Sequence, residues 1–246
     1  MFNVIVLSLM VCMPLFASEP EKQLACYTTD DYIECDNLLL KKTTLWSSWR
    51  DANTFIELAQ EHATSEFMFG ARATQEDIAR IIKPSLKNKL LATTLFAASN
   101  LLQHSRWMIT DTQTKQVIGS VGLSPLSHPQ IIKLIYDNDE NNTNVMGLGL
   151  MLQKDYWQST KLRSSILTFL QTVFNTHKTV NGIAVCINEY HEAALNCVRN
   201  SETQQAIPPF VYCGKADFPE GFTAAHPKAF KGECYLVKND SALDND

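Results

Sequence analysis

Residues 145–174 read VMGLGLMLQKDYWQSTKLRSSILTFLQTVF, an apolar strand, a polar turn and an amphipathic helix in succession. Met146 to Leu152 is apolar throughout, carries Gly147 and Gly149, and is bounded by polar residues. The run is too short to cross a membrane, and its length favours a buried strand over a helix. Glycines inside a strand mark the close approach of a ligand or another backbone. From Leu162 the large apolar residues Ile166, Leu170, Val173 and Phe174 return at three- and four-residue intervals, while Arg163, Ser164 and Gln171 fall elsewhere on the wheel. That spacing predicts a helix with one buried face. A strand that leads through the polar and basic loop Lys154 to Lys161 into a helix turns the first helical N–H groups and the positive dipole end toward whatever sits above the loop. An anion such as a pyrophosphate suits that position.

The stretch resembles the core of the GCN5-related N-acetyltransferases (GNAT), in particular the branch of the ribosomal-protein alanine acetyltransferases. In that branch a strand of the form I-G-Y-x-L precedes x-x-x-Y-W-G-x-G-Y-A and a long helix. Leu148-Gly149-Leu150-Met151-Leu152 matches the strand, Tyr156-Trp157 the aromatic pair, and Ser165 to Phe174 the helix. The family's phosphate loop has small residues where this chain has Thr160 and Leu162, and a glycine where it has Gln158; all nine glycines lie outside the loop.

The resemblance, which covers about residues 38–238, implies an α/β fold: one mixed sheet of about six or seven strands with helices on both faces. It implies acetyl-CoA as co-substrate and an amine acceptor, a protein N-terminus or a small amine. It also implies contacts to that co-substrate from Leu150, Met151 and Leu152 on the strand, from Gln158, Ser159, Thr160, Lys161, Leu162 and Arg163 at the loop, and from His191 at a later helix start, where the family has Asn. Hydroxyls and positive charge at Ser159, Thr160, Lys161 and Arg163 would then replace the backbone contacts that glycines make elsewhere. An ordinary polar helix start capped by Ser159 or Thr160 is the other reading. Many relatives draw off the amine proton with a carboxylate near the central strand; Asp139 and Glu140 are the nearest acids before it. The tyrosine that serves as acid in other branches falls at Val198, so that role is vacant.

Composition narrows the function classes. The chain has 246 residues, 45% hydrophobic and 19% charged, enough for one well-packed domain. A net charge of −5 and a pI near 5.7 argue against a nucleic-acid partner, which calls for clustered Lys and Arg. No Cys/His spacing resembles a zinc site, so no metal is expected, and neither a G-x-S-x-G elbow nor paired catalytic carboxylates suggests a hydrolase. Cys186 with His191 lacks an evident orienting third group for a nucleophile pair.

Residues 4–17, VIVLSLMVCMPLFA, are apolar, end in small residues and precede SEPEKQ. That pattern predicts a signal peptide over 1–17, with export to a secreted or periplasmic location and no stable membrane insertion after processing; a buried strand or uncleaved anchor, and a cytoplasmic location, is the alternative. Removal would leave cysteines 26, 35, 186, 197, 213 and 234, of which Cys26–Cys35 and, secondly, Cys213–Cys234 are candidate disulfides. A secreted, catalytically degenerate GNAT-fold protein acting as a binding module is the second functional expectation.

Along the rest of the chain, Leu38–Trp49 has strand composition and Arg50–His62 helical spacing. A capping-box pattern from Thr74 to Asp77 opens a helix stopped by Pro84, and another follows from Ser85 to Leu102. Arg106–Thr110 and Gln116–Leu123 predict a hairpin, the segment from Pro125 to Asn144 a loop, Gly182–Ile187 a strand and His191–Asn200 a helix. Phe210–Cys213 and Gly232–Val237 predict the last strands, and residues 239–246 a disordered acidic tail.

Overall fold

The computed structural model describes residues 27–29, 31–35, 37–44, 47–60, 105–126, 128–138, 144–156, 160–199, 210–218 and 229–239. In chain order these form β1 (Tyr27–Thr29), β2 (Tyr32–Cys35), β3 (Leu38–Lys42), α1 (Ser48–Gln60), β4 (Ser105–Asp111), β5 (Val117–Pro125), α2 (Pro129–Asn138), β6 (Val145–Leu152), α3 (Thr160–Thr176), β7 (Gly182–Asn188), α4 (Glu192–Arg199), β8 (Val211–Phe218) and β9 (Phe230–Lys238). The predicted helices within 74–102, the segment 1–26 and residues 240–246 of the predicted tail lie outside the described residues, whereas Asn239, expected to begin the disordered tail, is buried and donates its side-chain N–H to the Val180 carbonyl at 2.9 Å.

The strands make a single mixed sheet in the order β1-β2-β3-β4-β5-β6-β7-β9-β8. The α/β class and the mixed sheet hold, but the sheet has nine strands rather than six or seven. The additional hairpin is β1–β2, where Thr29 stands opposite Tyr32. Its signal is the alternation in β2, with Ile33 and Cys35 buried and Glu34 exposed. Neighbouring strands are antiparallel except β6 and β7, which run parallel because α3 crosses over between them.

Alternation along β6 sorts its side chains to two faces. Leu148, Leu150 and Leu152 join Trp107, Val121 and Leu123 in the core against Ile166, Phe169, Leu170, Val173 and Phe174 of α3 and Leu195 and Val198 of α4. The α3 residues follow the i, i+3, i+4, i+7 pattern of one buried stripe, and burial of each large side chain contributes roughly 1.5–3 kcal/mol. Trp107 meets Phe169 edge to face at 5.4 Å, the favoured aromatic geometry. On the opposite face Met151 packs with Leu58 and Ala59 of α1, and Met108 with Ala52. Farther along that face α2 sits on Ala184, Cys186, Cys213, Cys234 and Leu236.

Two boundaries differ from expectation for local reasons. β3 ends at Lys42 and α1 begins at Ser48, where Thr44 and Ser47 exchange bonds in the manner of a capping box: the Ser47 N–H donates to Thr44 Oγ1 at 3.2 Å and the Thr44 N–H to Ser47 Oγ at 3.0 Å, while the Ser47 hydroxyl donates to Asp51 at 2.6 Å. The segment after Pro125, expected to be a loop, contains α2. Pro129 occupies the first helical position, where its missing N–H costs nothing, and Ile131 and Ile135 reach the core.

Candidate functional site

The ladder between β6 and β7 is short. It consists of Val145 opposite Gly182, Met146 opposite Ile183 and Gly147 opposite Ala184, after which the two strands part. β6 continues to Leu152 paired on its other side with β5, and β7 continues to Asn188 paired on its other side with β9. A wedge-shaped gap opens between them. Among the described residues no strand pairs with the gap side of Leu148–Leu152, so every second residue there turns its N–H and C=O toward the gap. The side chains of the three predicted contacts are not what they offer: Leu150, Met151 and Leu152 are all buried in the two cores, leaving the backbone as the chemical surface.

At the wide end of the gap the chain passes through one 3-10 turn, Lys154–Tyr156, toward α3. The turn is pinned to the β4–β5 hairpin. Gln153 donates its N–H to the carbonyl of Ile118 at 2.8 Å, and the Tyr156 hydroxyl donates to Asp111 at 3.1 Å; burial and that bond together raise the tyrosine pKa. Asp111 also accepts the N–H groups of Gln113 and Thr114, so one carboxylate holds hairpin and turn together. Thr160, Lys161, Leu162 and Arg163 lie in the first turn of α3, beside its positive dipole end. Gln158, Ser159, Asp139 and Glu140 lie outside the described residues.

His191 stands at the far end of β7. It is buried and caps α4, its Nδ1 accepting the Ala194 N–H at 3.4 Å and its carbonyl the Leu195 N–H at 3.0 Å. Burial pulls its pKa down to about 4, so it is neutral at physiological pH and a weak base. Sequence reading missed Asn188, which is fully buried and whose side chain accepts the Tyr190 N–H at 3.1 Å. An asparagine between a strand and a helix is a turn former by its own chemistry, and that signal was available.

The outer wall of the gap, β7, is braced from behind. Glu233 of β9 accepts from Tyr235 at 2.7 Å and from Arg199 of α4 at 2.8 Å, with Lys215 of β8 at 3.3 Å. Burial alone would raise the carboxyl pKa, but the bonds from Tyr235 and Arg199 outweigh it and hold the group below its ordinary value. This cluster is an ion-pair brace between α4, β8 and β9. The predicted Cys213–Cys234 disulfide is not formed: Cys186, Cys213 and Cys234 are thiols, because a bulge between Tyr212 and Gly214 sets Gly214, not Cys213, opposite Cys234. Cys35 is disulfide-bonded, and its candidate partner Cys26 lies outside the described residues. Among the described residues no cluster of side chains fits a metal ion and no helix is long and apolar enough to cross a membrane.

Neither a family model nor a curated protein matches the sequence. Solved structures do. A ribosomal-protein-S5-alanine acetyltransferase from Vibrio fischeri is similar with a TM-score of 0.54 and 14% identity, over 86% of this chain and 98% of that one. A probable acetyltransferase of the GNAT family from Chromobacterium violaceum gives 0.55 and 10%, over 95% and 98%. AAC(6')-Ib in complex with ribostamycin and coenzyme A gives 0.54 and 13%, over 85% and 97%. At such identities the likeness is one of fold.

Proposed function

Taking the chain's GNAT fold as the premise, we propose that the protein transfers an acetyl group from acetyl-CoA to an amine. One observation carries the reading: the β6–β7 ladder stops after Gly147 and Ala184, and among the described residues no strand pairs with that side of β6 from Leu148 onward. A strand edge that its neighbouring strand leaves open is a place where an extended amide can pair, and the amide-bearing pantetheine arm of acetyl-CoA has the donors and acceptors to do so. The neighbour in complex with coenzyme A supports the choice of co-substrate.

The amine nitrogen attacks the thioester carbonyl carbon; the C–N bond forms, the C–S bond breaks, and coenzyme A leaves with its sulfur taking a proton. N–H groups on the gap side of Leu148–Leu152 are set to stabilise the oxyanion that develops, a task that needs no particular side chain. The first turn of α3, with Lys161 and Arg163, is assigned the pyrophosphate. Asp139 or Glu140 is assigned the amine proton, since His191 is a weak base engaged in capping α4.

Calorimetric titration with acetyl-CoA, followed by thiol release in the presence of small amines and an N-terminal peptide, tests the reading. Saturable heat and amine-dependent thiol release are expected. No heat and no release would overturn it and leave a GNAT-fold binding module.

A further inference from the structure

Asp111, the last residue of β4, divides its two carboxylate oxygens between two segments. Oδ1 accepts the N–H groups of Gln113 and Thr114 at 2.8 and 3.0 Å within the β4–β5 turn. Oδ2 accepts the hydroxyl of Tyr156 at 3.1 Å, from the turn that leads out of β6. The hairpin end that carries Asp111 is itself anchored. The Asp111 N–H donates to the Gln116 carbonyl and the Lys115 N–H to the Asp111 carbonyl, while the N–H and hydroxyl of Thr112 both donate to the carbonyl of Asn37, between β2 and β3, at 2.7 and 3.0 Å. A carboxylate fixed from so many directions is a stationary acceptor, and a tyrosine, with only two side-chain torsions, is well suited to reach it.

Tyr156 in turn fixes the chain just ahead of α3. Its N–H closes the 3-10 turn on the Gln153 carbonyl at 3.0 Å, and its ring packs against the main core. Thr160, the first residue of α3, follows four positions later. Beyond the first helical turn, the Ser165 hydroxyl donates to the carbonyl of Cys35 in β2 at 3.2 Å, a buried bond. Leu38 stands opposite both Cys35 and Asp111, so the two bonds land on one row of the sheet. The opening turn of α3 is thus bracketed by a side-chain bond before it and another after it. N–H groups at a helix start hold an anion only when they point together at it, and the dipole's effect fades within that turn, so the bracket matters to anything bound there.

We propose that Tyr156 and Asp111 are positioning residues: their bond sets the direction of the first N–H groups of α3, and with it the affinity of the protein for the pyrophosphate of acetyl-CoA. The proposal rests on the acetyl-transfer reading, in which that turn receives the pyrophosphate. It requires neither side chain to touch the co-substrate.

Tyr156→Phe removes the hydroxyl and keeps the ring. Calorimetry with acetyl-CoA at low and high salt should show binding about tenfold weaker than in the parent at low salt, with the two proteins converging at high salt, because the part lost is attraction for an anion. Asp111→Asn keeps an oxygen for the Gln113 and Thr114 N–H groups and turns an amide nitrogen toward Tyr156, so it should weaken binding in the same salt-dependent way. Because the two residues act through one bond, the double variant should bind no more weakly than the worse single one. A Tyr156→Phe protein that binds as the parent does overturns the proposal. So does a loss of equal size at both salt concentrations, which a general loosening would give, or a pair of losses that add in the double variant. If acetyl-CoA gives no heat with the parent, the acetyl-transfer reading fails instead, and inorganic pyrophosphate decides the positioning role separately. Heat with pyrophosphate that Tyr156→Phe diminishes sustains the role; equal heat in both proteins, or none in either, ends it.

Discussion

Cys186 of β7 and Cys234 of β9 face each other across the sheet, and the Cys234 thiol donates to the Cys186 sulfur at 3.3 Å. That hydrogen bond, burial and the neighbouring sulfur raise the Cys186 pKa well above its ordinary value, and burial pushes Cys213 up to about 11. Thiols so held are poor nucleophiles. In the folded protein Cys186, Cys213 and Cys234 should resist an alkylating reagent and react once it is unfolded. A non-reducing peptide map should find Cys35 cross-linked and these three as thiols; a Cys213–Cys234 peptide would contradict the structure.

His191 makes stability depend on pH. Its folded pKa, about 4, lies below the ordinary 6.5 because burial disfavours the charged form. The unfolded chain therefore binds more protons between those values, so stability is full above pH 6.5 and falls as the pH drops toward 4. The loss amounts to up to roughly 3 kcal/mol at this single site. His191→Asn keeps a capping side chain without a titrating group; denaturant midpoints measured from pH 7 to 4 should fall less steeply in the variant than in the parent.

Lys161 and Arg163 lie in the first turn of α3, where a phosphate would gain from both charge and backbone N–H groups. Lys161→Ala and Arg163→Ala should each weaken acetyl-CoA binding by about tenfold or more, since charge-assisted bonds are worth roughly 1.5–3 kcal/mol. Thr160→Gly with Leu162→Ala should tighten binding by giving the pyrophosphate room. Titrations at two salt concentrations check both, with the parent more salt-sensitive than the double variant.

Gly119 leaves no space for a side chain: a Cβ there would overlap the carbonyl oxygen of Met151 and come within 2.9 Å of Leu152 Cδ1. The Met151 oxygen belongs to backbone, which moves only with its strand. Gly119→Ala should cost about 1–3 kcal/mol by overpacking and displace the end of β6. Acetyl-CoA affinity should fall with thermal stability, read by calorimetry and thermal melts on the same samples.

Periodicity and local chemistry were enough to read the central strand, α3 with its buried stripe, the β4–β5 hairpin, β7 and β9 within a few residues of their ends, whereas β8, expected to stop at Cys213, runs on to Phe218. These elements are legible because each must bury one face, and burial writes period 2 or 3.6 into the chain. The hairpin β1–β2 and the helix α2 were obscured by polar residues at their exposed positions, although the alternation of Ile33 and Cys35 and the position of Pro129 carried the local signal. Tertiary structure alone decided the rest. The parting of β6 from β7 after Gly147 and Ala184 is a matter of which strand edges meet. The facing of Cys186 by Cys234, the bracing of Glu233 by Arg199 and Lys215 and the stacking of Arg106 on Phe55 join residues distant in the chain. No local propensity encodes such partners; they are selected when the sheet closes and each buried polar group must find its complement.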